Sequence, residues 1–265
     1  MHIAGICRFS LVGPGDWRAY RGASKDQHEA IAAKQVASLF APARVEQRLA
    51  TFEHITLASM KAQSDQDFHF LVLASELMPE IYRDRLSRIC AGVPQVSLRF
   101  FPVIGAGAAQ MQVMSDLGLS YRQTLQFRLD DDDALSANYV GKMRTYCTPL
   151  ARSRMQFSAS FHRVAFVNTA DGTGFAKDLP FMSAGTAVLH HRRTIFAFGH
   201  FGLRKRFPAV SVPSCHSLIL KHDTNDSTVE RPPPRSRMTV QKMREYLDQN
   251  YPFLDGEGLR LLGHA

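Results

Sequence analysis

The chain lacks the patterns that mark several protein classes. No apolar run approaches the roughly 18 residues a membrane-spanning helix needs. The opening stretch Met1-His2-Ile3-Ala4-Gly5-Ile6-Cys7-Arg8 is too short and wrongly flanked for a secretory signal, so a cytoplasmic location is expected. The four cysteines, Cys7, Cys90, Cys147 and Cys215, are scattered and form no CxxC pair. That speaks against a zinc knuckle or a disulfide scaffold and for buried thiols in a reducing compartment. Neither GxxxxGK[ST] nor GxGxxG occurs, so no standard phosphate loop is expected. No internal repeat is visible.

What is present is a globular composition. The chain has 265 residues, 45% of them hydrophobic, enough for one large α/β domain or two small ones. The formal net charge of +8 suits an anionic partner, whether nucleotide, nucleic acid or anionic membrane. The basic clusters are short: Arg192-Arg193, Arg204-Lys205-Arg206 and residues 231–237. No nucleic-acid motif accompanies them, so nucleic acid is not an expected partner, while peripheral contact with a membrane surface stays open.

The first half alternates. Residues 2–9 read as a strand, followed by the turn chemistry of Val12-Gly13-Pro14-Gly15-Asp16-Trp17. Arg8 and Ser10 stand where such sheets bind ligands and are candidates for a phosphate or nucleotide; a local salt bridge is the alternative for Arg8. Over residues 44–63, Val45, Leu49, Phe52, Ile55, Leu57 and Met60 recur at helical spacing, with Glu46, Arg48, Glu53 and Lys61 as the polar positions. Residues 68–74 are a continuous apolar run, typical of a buried parallel strand. Pro79 opens a helix to Cys90, and a third strand covers 96–103. The Gly/Ala-rich stretch 105–112 reads as a loop leading into a helix over 111–119. A fourth strand ends at Arg128-Leu129, and a helix over 136–146 follows with Ser136 as its N-cap. Alternation of this kind implies a mainly parallel sheet flanked by helices.

The second half is mixed. Residues 155–167 alternate, Asp171-Gly172 marks a hairpin turn, and 175–179 return. Ser183-Ala184-Gly185-Thr186 leads into another apolar run; it either lines an acceptor site or packs as a tight turn. A short helix is expected over 194–200 and a strand or loop over 210–220. Pro232-Pro233-Pro234 is a hard break before a polar amphipathic helix over 239–250.

Within this frame the chemistry concentrates at Arg128-Leu129-Asp130-Asp131-Asp132-Asp133-Ala134-Leu135. Four adjacent carboxylates repel one another unless they are solvated or neutralised. A hard divalent cation neutralises them well, because Mg²⁺ and Mn²⁺ prefer carboxylate oxygens and keep positions open for phosphate. A solvated turn or a helix N-terminus is the plain alternative. The calcium loop of an EF-hand is excluded by spacing.

The alternating half, the apolar strand that ends in Asp-x-Asp and the mixed half after it resemble the GT-A fold of nucleotide-sugar glycosyltransferases. More narrowly, Arg8-Phe9-Ser10, Arg128 to Asp133 and His222-Asp223-Thr224-Asn225-Asp226-Ser227 resemble a bacterial family of rhamnosyltransferases. The resemblance covers roughly residues 1–230. It implies one GT-A-like domain, with a nucleotide-binding half at 1–135, an acceptor and metal-completing half at 136–230, and a helical tail at 231–265. It implies a nucleotide-diphospho-sugar donor, a saccharide or other small acceptor, and Mn²⁺ or Mg²⁺ as cofactor. Arg8, Ser10, Arg128, Asp130, Asp131 and Asn225 would then bind the nucleotide-sugar, and Asp132, Asp133 and His222 the metal. The run offers two registers; Asp130/Asp132 is preferred because Asp133-Ala134-Leu135 then matches the acid-x-Leu that often follows.

One departure stands out. Inverting GT-A enzymes often carry a Glu-Asp pair after a Gly-Gly-Phe segment, and here Phe198-Gly199-His200-Phe201-Gly202-Leu203 is followed by basic residues. His200, Asp171 and Asp178 are the candidate bases; a retaining enzyme would need none. A non-catalytic binding module and a nucleotidyltransferase are the other readings. The second would normally carry Lys or Arg in the Val12-Gly13-Pro14-Gly15 loop, and none is there.

Overall fold

The computed structural model describes residues 1–14, 18–20, 22–222 and 236–264. Four strands, β1 (His2–Phe9), β2 (His69–Ser75), β3 (Val96–Phe101) and β4 (Thr124–Arg128), lie parallel in the order β3-β2-β1-β4. Both faces of β1 and β2 are buried, which is why they read as unbroken apolar runs. Gly5 lies at the centre of β1, where a Cβ would meet the Phe127 ring at 2.3 Å and the Phe70 ring at 2.7 Å. Gly5→Ala therefore overpacks the core and is expected to cost about 1–3 kcal/mol, read as a lowered thermal midpoint.

The remaining strands are β5 (Ala134–Leu135), β6 (Phe157–Asn168), β7 (Gly174–Asp178), β8 (Ala187–Leu189) and β9 (Ala209–Lys221). Among the described residues all nine join one sheet, ordered β3-β2-β1-β4-β8-β6-β9-β5, with β7 paired to β6 beside this path. β8 runs antiparallel to β4 and β6, β5 antiparallel to β9, and β6 parallel to β9. The expected plan holds: a parallel half and a mixed half share one α/β sheet. The hairpin turn between β6 and β7 is also as expected, with Gly172 at φ +64° and the Asp171 carboxylate accepting from the Thr173 N–H.

The helices show where local reading falls short. α1 (Lys25–Leu39) was not anticipated. The helix over 44–63 is three joined pieces: α2 (Pro42–Thr51), a wider π-helical turn (Phe52–Leu57) and α3 (Ala58–Lys61). α4 (Glu80–Ala91) takes Pro79 as its N-cap. The Gly/Ala stretch is not a loop but the body of α5 (Ala106–Asp116), with Gly105 as N-cap. α6 (Tyr139–Arg152) is capped at Asn138, because the Ser136 hydroxyl instead takes the His216 N–H. The short helix expected over 194–200 is a 3-10 turn (Ile195–Ala197), and α7 (His200–Arg206) follows it.

α8 (Val240–Asn250) and α9 (Gly256–Leu261) form the helical stretch expected after the prolines. They pack against the sheet: Met243, Leu247, Tyr251 and Leu262 are buried with Ile55, Ala165, Val167, Leu218 and Leu220. All four cysteines are free and buried. No helix among the described residues is long and apolar enough to cross a membrane.

Candidate functional site

The acidic run begins where β4 ends, at the carboxyl rim of the parallel strands. The Leu129 N–H still donates to Ile6 in β1, and the Asp133 N–H turns back to the Asp130 carbonyl. The chain then enters β5, whose pairing with β9 (Ala134 opposite Leu218) carries β9 past the carboxylates. The end of β9 closes the turn. The Leu220 N–H donates to Asp133 Oδ1 at 3.4 Å, and His222 Nε2 lies 2.8 Å from Asp132 Oδ2. Residues 90 positions apart are thus joined by strand register.

The four carboxylates are not equivalent. The Asp130 side chain is 41% exposed and lies 3.8 Å from Arg8 Nη2. Asp131, Asp132 and Asp133 are buried. One nitrogen of Arg48, Nη1, lies 2.7 Å from both Asp131 Oδ1 and Asp132 Oδ2. Thr51 and Thr56 hydroxyls donate to the Asp131 and Asp130 carbonyls. All three come from the helix over 42–61. In a regular α-helix, eight residues at ~100° each would leave Thr56 ~80° around from Arg48. The π-helical turn between them swings Thr56 back towards the acidic turn.

Burial and charge divide the carboxylates further. Burial raises Asp131 to about 6, against the pull of Arg48. Burial also works against the charge of Asp132, but the His222 hydrogen bond and the Arg48 charge outweigh it and hold Asp132 below the usual range. Burial and then repulsion from Asp132 and Asp130 push Asp133 well up. Arg48 is held above its ordinary value because Asp131 and Asp132 outweigh its own desolvation.

Arg48 is the residue the sequence reading misplaced. The spacing predicts it on the polar face of its helix, yet it is buried. Its spacing held the signal: Val45, Arg48, Leu49 and Phe52 follow the i, i+3, i+4, i+7 pattern, so a cation stands inside the apolar stripe.

Beside the acidic turn, Arg8 and Arg128 flank Phe196, each guanidinium a little over 5 Å from the ring centroid. Arg128 Nη2 also donates to the Ile195 and Phe198 carbonyls, fixing the segment that leads to α7. Ser10 follows β1 at φ +48°, and its hydroxyl accepts from Arg44. Ser183-Ala184-Gly185-Thr186 is a packing turn. Gly185 sits at φ +78°, where a Cβ would meet Leu135 at 2.8 Å and Tyr139 at 2.9 Å; its N–H donates to the Arg128 carbonyl, and its carbonyl accepts from Tyr139.

The structure thus brings together Arg8, Arg128, Asp130, Asp131, Asp132, Asp133 and His222, with Ser10 at the end of β1. The candidate bases stand differently. His200 opens α7, with its ring against Phe201. Asp171 sits in the β6–β7 turn, paired with Arg237. Asp178 ends β7, paired with Arg163 and His162. Asn225 lies outside the described residues.

For a metal, the chemistry of the donors fits: carboxylates with an imidazole suit Mn²⁺ or Mg²⁺. Two ligand atoms held at ~2.1 Å by one octahedral ion lie ~3.0 Å apart, close to the spacing of His222 Nε2 and Asp132 Oδ2. Among the described residues no three His, Cys, Asp or Glu side chains converge as a metal-binding group.

A parallel half carrying an acidic turn at its rim, closed by a mixed half that returns a histidine to that turn, is a GT-A-like α/β fold. The chain belongs to the family described as "putative rhamnosyl transferase", matching it over residues 2–234. No curated protein matches it. Among solved structures it is similar to S. aureus TarS 1–349 in complex with UDP-GlcNAc, at 7% identity over 86% of this chain and 62% of that one, with a TM-score of 0.45. TarS 1–349 in complex with UDP matches at 8% identity over 63% of this chain and 35% of that one, with a TM-score of 0.33. The chain thus spans less than two thirds of these TarS chains. A Bacillus anthracis protein described as a glucose-1-phosphate thymidylyltransferase, in complex with sucrose, matches at 12% identity over 81% of this chain and 88% of that one, with a TM-score of 0.35.

Proposed function

We propose that the chain is a metal-dependent glycosyltransferase that takes a nucleotide-diphospho-sugar and passes the sugar, rhamnose by the family's description, to a saccharide or other small acceptor. The observation that carries this reading is the pairing of Asp132 with His222 at the rim of the parallel strands, beside the exposed Asp130. Asp132 and His222 are the residues that would hold Mn²⁺ or Mg²⁺, with Asp130 towards the sugar nucleotide. A divalent cation bound there supplies Lewis-acid stabilisation of the departing diphosphate. Arg8 and Arg128, close to the same turn, add positive charge for the phosphates. Asp131 and Asp133 face inward and hold the turn in shape.

For the base, His200 is our choice among the three candidates, because the segment before it is tied to Arg128. Asp171 and Asp178 are each engaged by an arginine. That engagement also favours a second reading, a GT-A-like module that binds a nucleotide-sugar without turning it over.

A panel of nucleotide-diphospho-sugars, including a rhamnose donor and UDP-GlcNAc, tests the proposal. With Mn²⁺ present, one donor is expected to raise the melting temperature and to be hydrolysed slowly, and EDTA is expected to abolish both effects. Binding without hydrolysis, with and without candidate acceptors, would support the second reading. If neither nucleotide nor metal shifts the melting temperature, the proposal fails.

A further inference from the structure

A second surface of the molecule carries concentrated charge that the acidic site does not use. Between residues 190 and 210 the sequence holds no Asp or Glu, yet it carries Arg192, Arg193, Arg204, Lys205 and Arg206. The fold gathers these two clusters. His190 packs on Phe198 at 5.4 Å and on Phe207 at 5.7 Å, between ring centroids, and so lies against both flanks of α7. Its Nδ1 accepts the N–H groups of both Arg192 and Arg193, which bends that loop around the ring. The five cations are exposed, and none forms an ion pair with a described residue.

α7 is two-faced at this surface. Leu203 is fully buried, whereas Phe201, Arg204 and Lys205, spaced i, i+3, i+4, share the opposite face. Phe201 is 48% exposed in the middle of that charge. Cations in the last turn of a helix are favoured by its dipole, which explains Arg204 to Arg206 locally. It explains neither the exposed phenylalanine nor the converging Arg192 and Arg193. Arg154 and Met155, also exposed, adjoin the loop, since the His191 N–H donates to Gln156 Oε1.

We propose that this face docks the protein on an anionic lipid surface. Several cations around one or two exposed apolar side chains suit the headgroup boundary, where the charges meet anionic lipid and the apolar groups dip below. A nucleic-acid partner would call for a groove or stacking platforms along a strand's path, and Phe201 is the one exposed aromatic on this helix. The face adjoins the acidic site through the Ile195–Phe198 segment held by Arg128, so docking would set that site beside the membrane. The docking does not depend on the glycosyltransferase reading.

Co-sedimentation of the full chain with vesicles of phosphatidylcholine alone, or with about 30% phosphatidylglycerol added, tests it. Binding is expected to the anionic vesicles only and to weaken steeply with salt. Each Lys or Arg near an anionic surface contributes a factor of roughly five. Arg192→Ala/Arg193→Ala, both in a loop, should therefore weaken binding more than tenfold. Lys34→Ala/Lys242→Ala, two exposed lysines on α1 and α8, removes the same net charge and should change it less than threefold. Phe201→Ser should weaken binding without changing its salt slope. Equal binding to neutral vesicles, no binding at all, equal losses in the two double variants, or displacement of the protein from vesicles by an equal charge of oligonucleotide would each overturn the proposal.

Discussion

Asp132→Asn is expected to lower nucleotide-sugar turnover by about a thousandfold, about 4 kcal/mol of transition-state stabilisation, while leaving the fold intact. Asparagine keeps the shape and one oxygen of the side chain but removes the charge that both His222 and Arg48 contact. Asp131→Asn is the matched control, since it removes a carboxylate one residue away that points to Arg48 and not to His222. Its turnover should stay within tenfold of the parent. Steady-state kinetics with a Mn²⁺ titration separates the two: the Asp132 variant should also lose the metal dependence of nucleotide binding. Equal losses in both variants would show that the turn acts only as a scaffold, and an unaltered Mn²⁺ response in the Asp132 variant would remove that residue from the metal site.

Arg48→Met is expected to have the largest effect on stability. It leaves Asp131 and Asp132 buried within a few ångströms of the cavity where their counter-charge stood. Breaking a buried pair by removing one partner costs about 3–5 kcal/mol, because the remaining charge is left without compensation. At roughly 2–4 °C per kcal/mol for a chain of this size, the thermal midpoint should fall by about 10 °C. Adding Asp131→Asn should recover part of the loss, since one of the two uncompensated charges is gone; groups that touch in this way couple by about 0.5–3 kcal/mol. Differential scanning calorimetry on the two single variants and the double variant reads this directly. A midpoint for Arg48→Met within two degrees of the parent would mean that the carboxylates are neutralised some other way.

The parallel half was readable because its strands are buried on both faces. β1 and β2 appear in the sequence as apolar runs, and the acidic turn stands out by contrast at the end of β4. His222 was not visible from the residues themselves. Its approach to Asp132 is produced by the β5–β9 register, and only the family resemblance pointed to it. α1 left no signal because its apolar residues are mostly alanine and are spread around the helix, while its buried Gln35 is polar. The start of α5 was hidden because Gly and Ala read as loop while their small size lets the helix lie close to its neighbours; a Cβ on Gly107 would come within 2.9 Å of the Thr194 hydroxyl. Arg48 was lost for a different reason. Hydrophobic periodicity treats every charged residue as solvent-facing, and only the acidic turn, 83 positions away, gives that arginine a reason to be inside.

Because Arg48 already stands between Asp131 and Asp132, the chain provides its own counter-ion at the acidic turn. On the proposed reading, a metal would meet a turn that Arg48 already neutralises, unlike small domains that remain unstructured until a metal binds. Loading at Asp132 would then be an exchange of partners within that framework, not the last step of assembly. Affinity for the ion would then depend on the diphosphate that accompanies it.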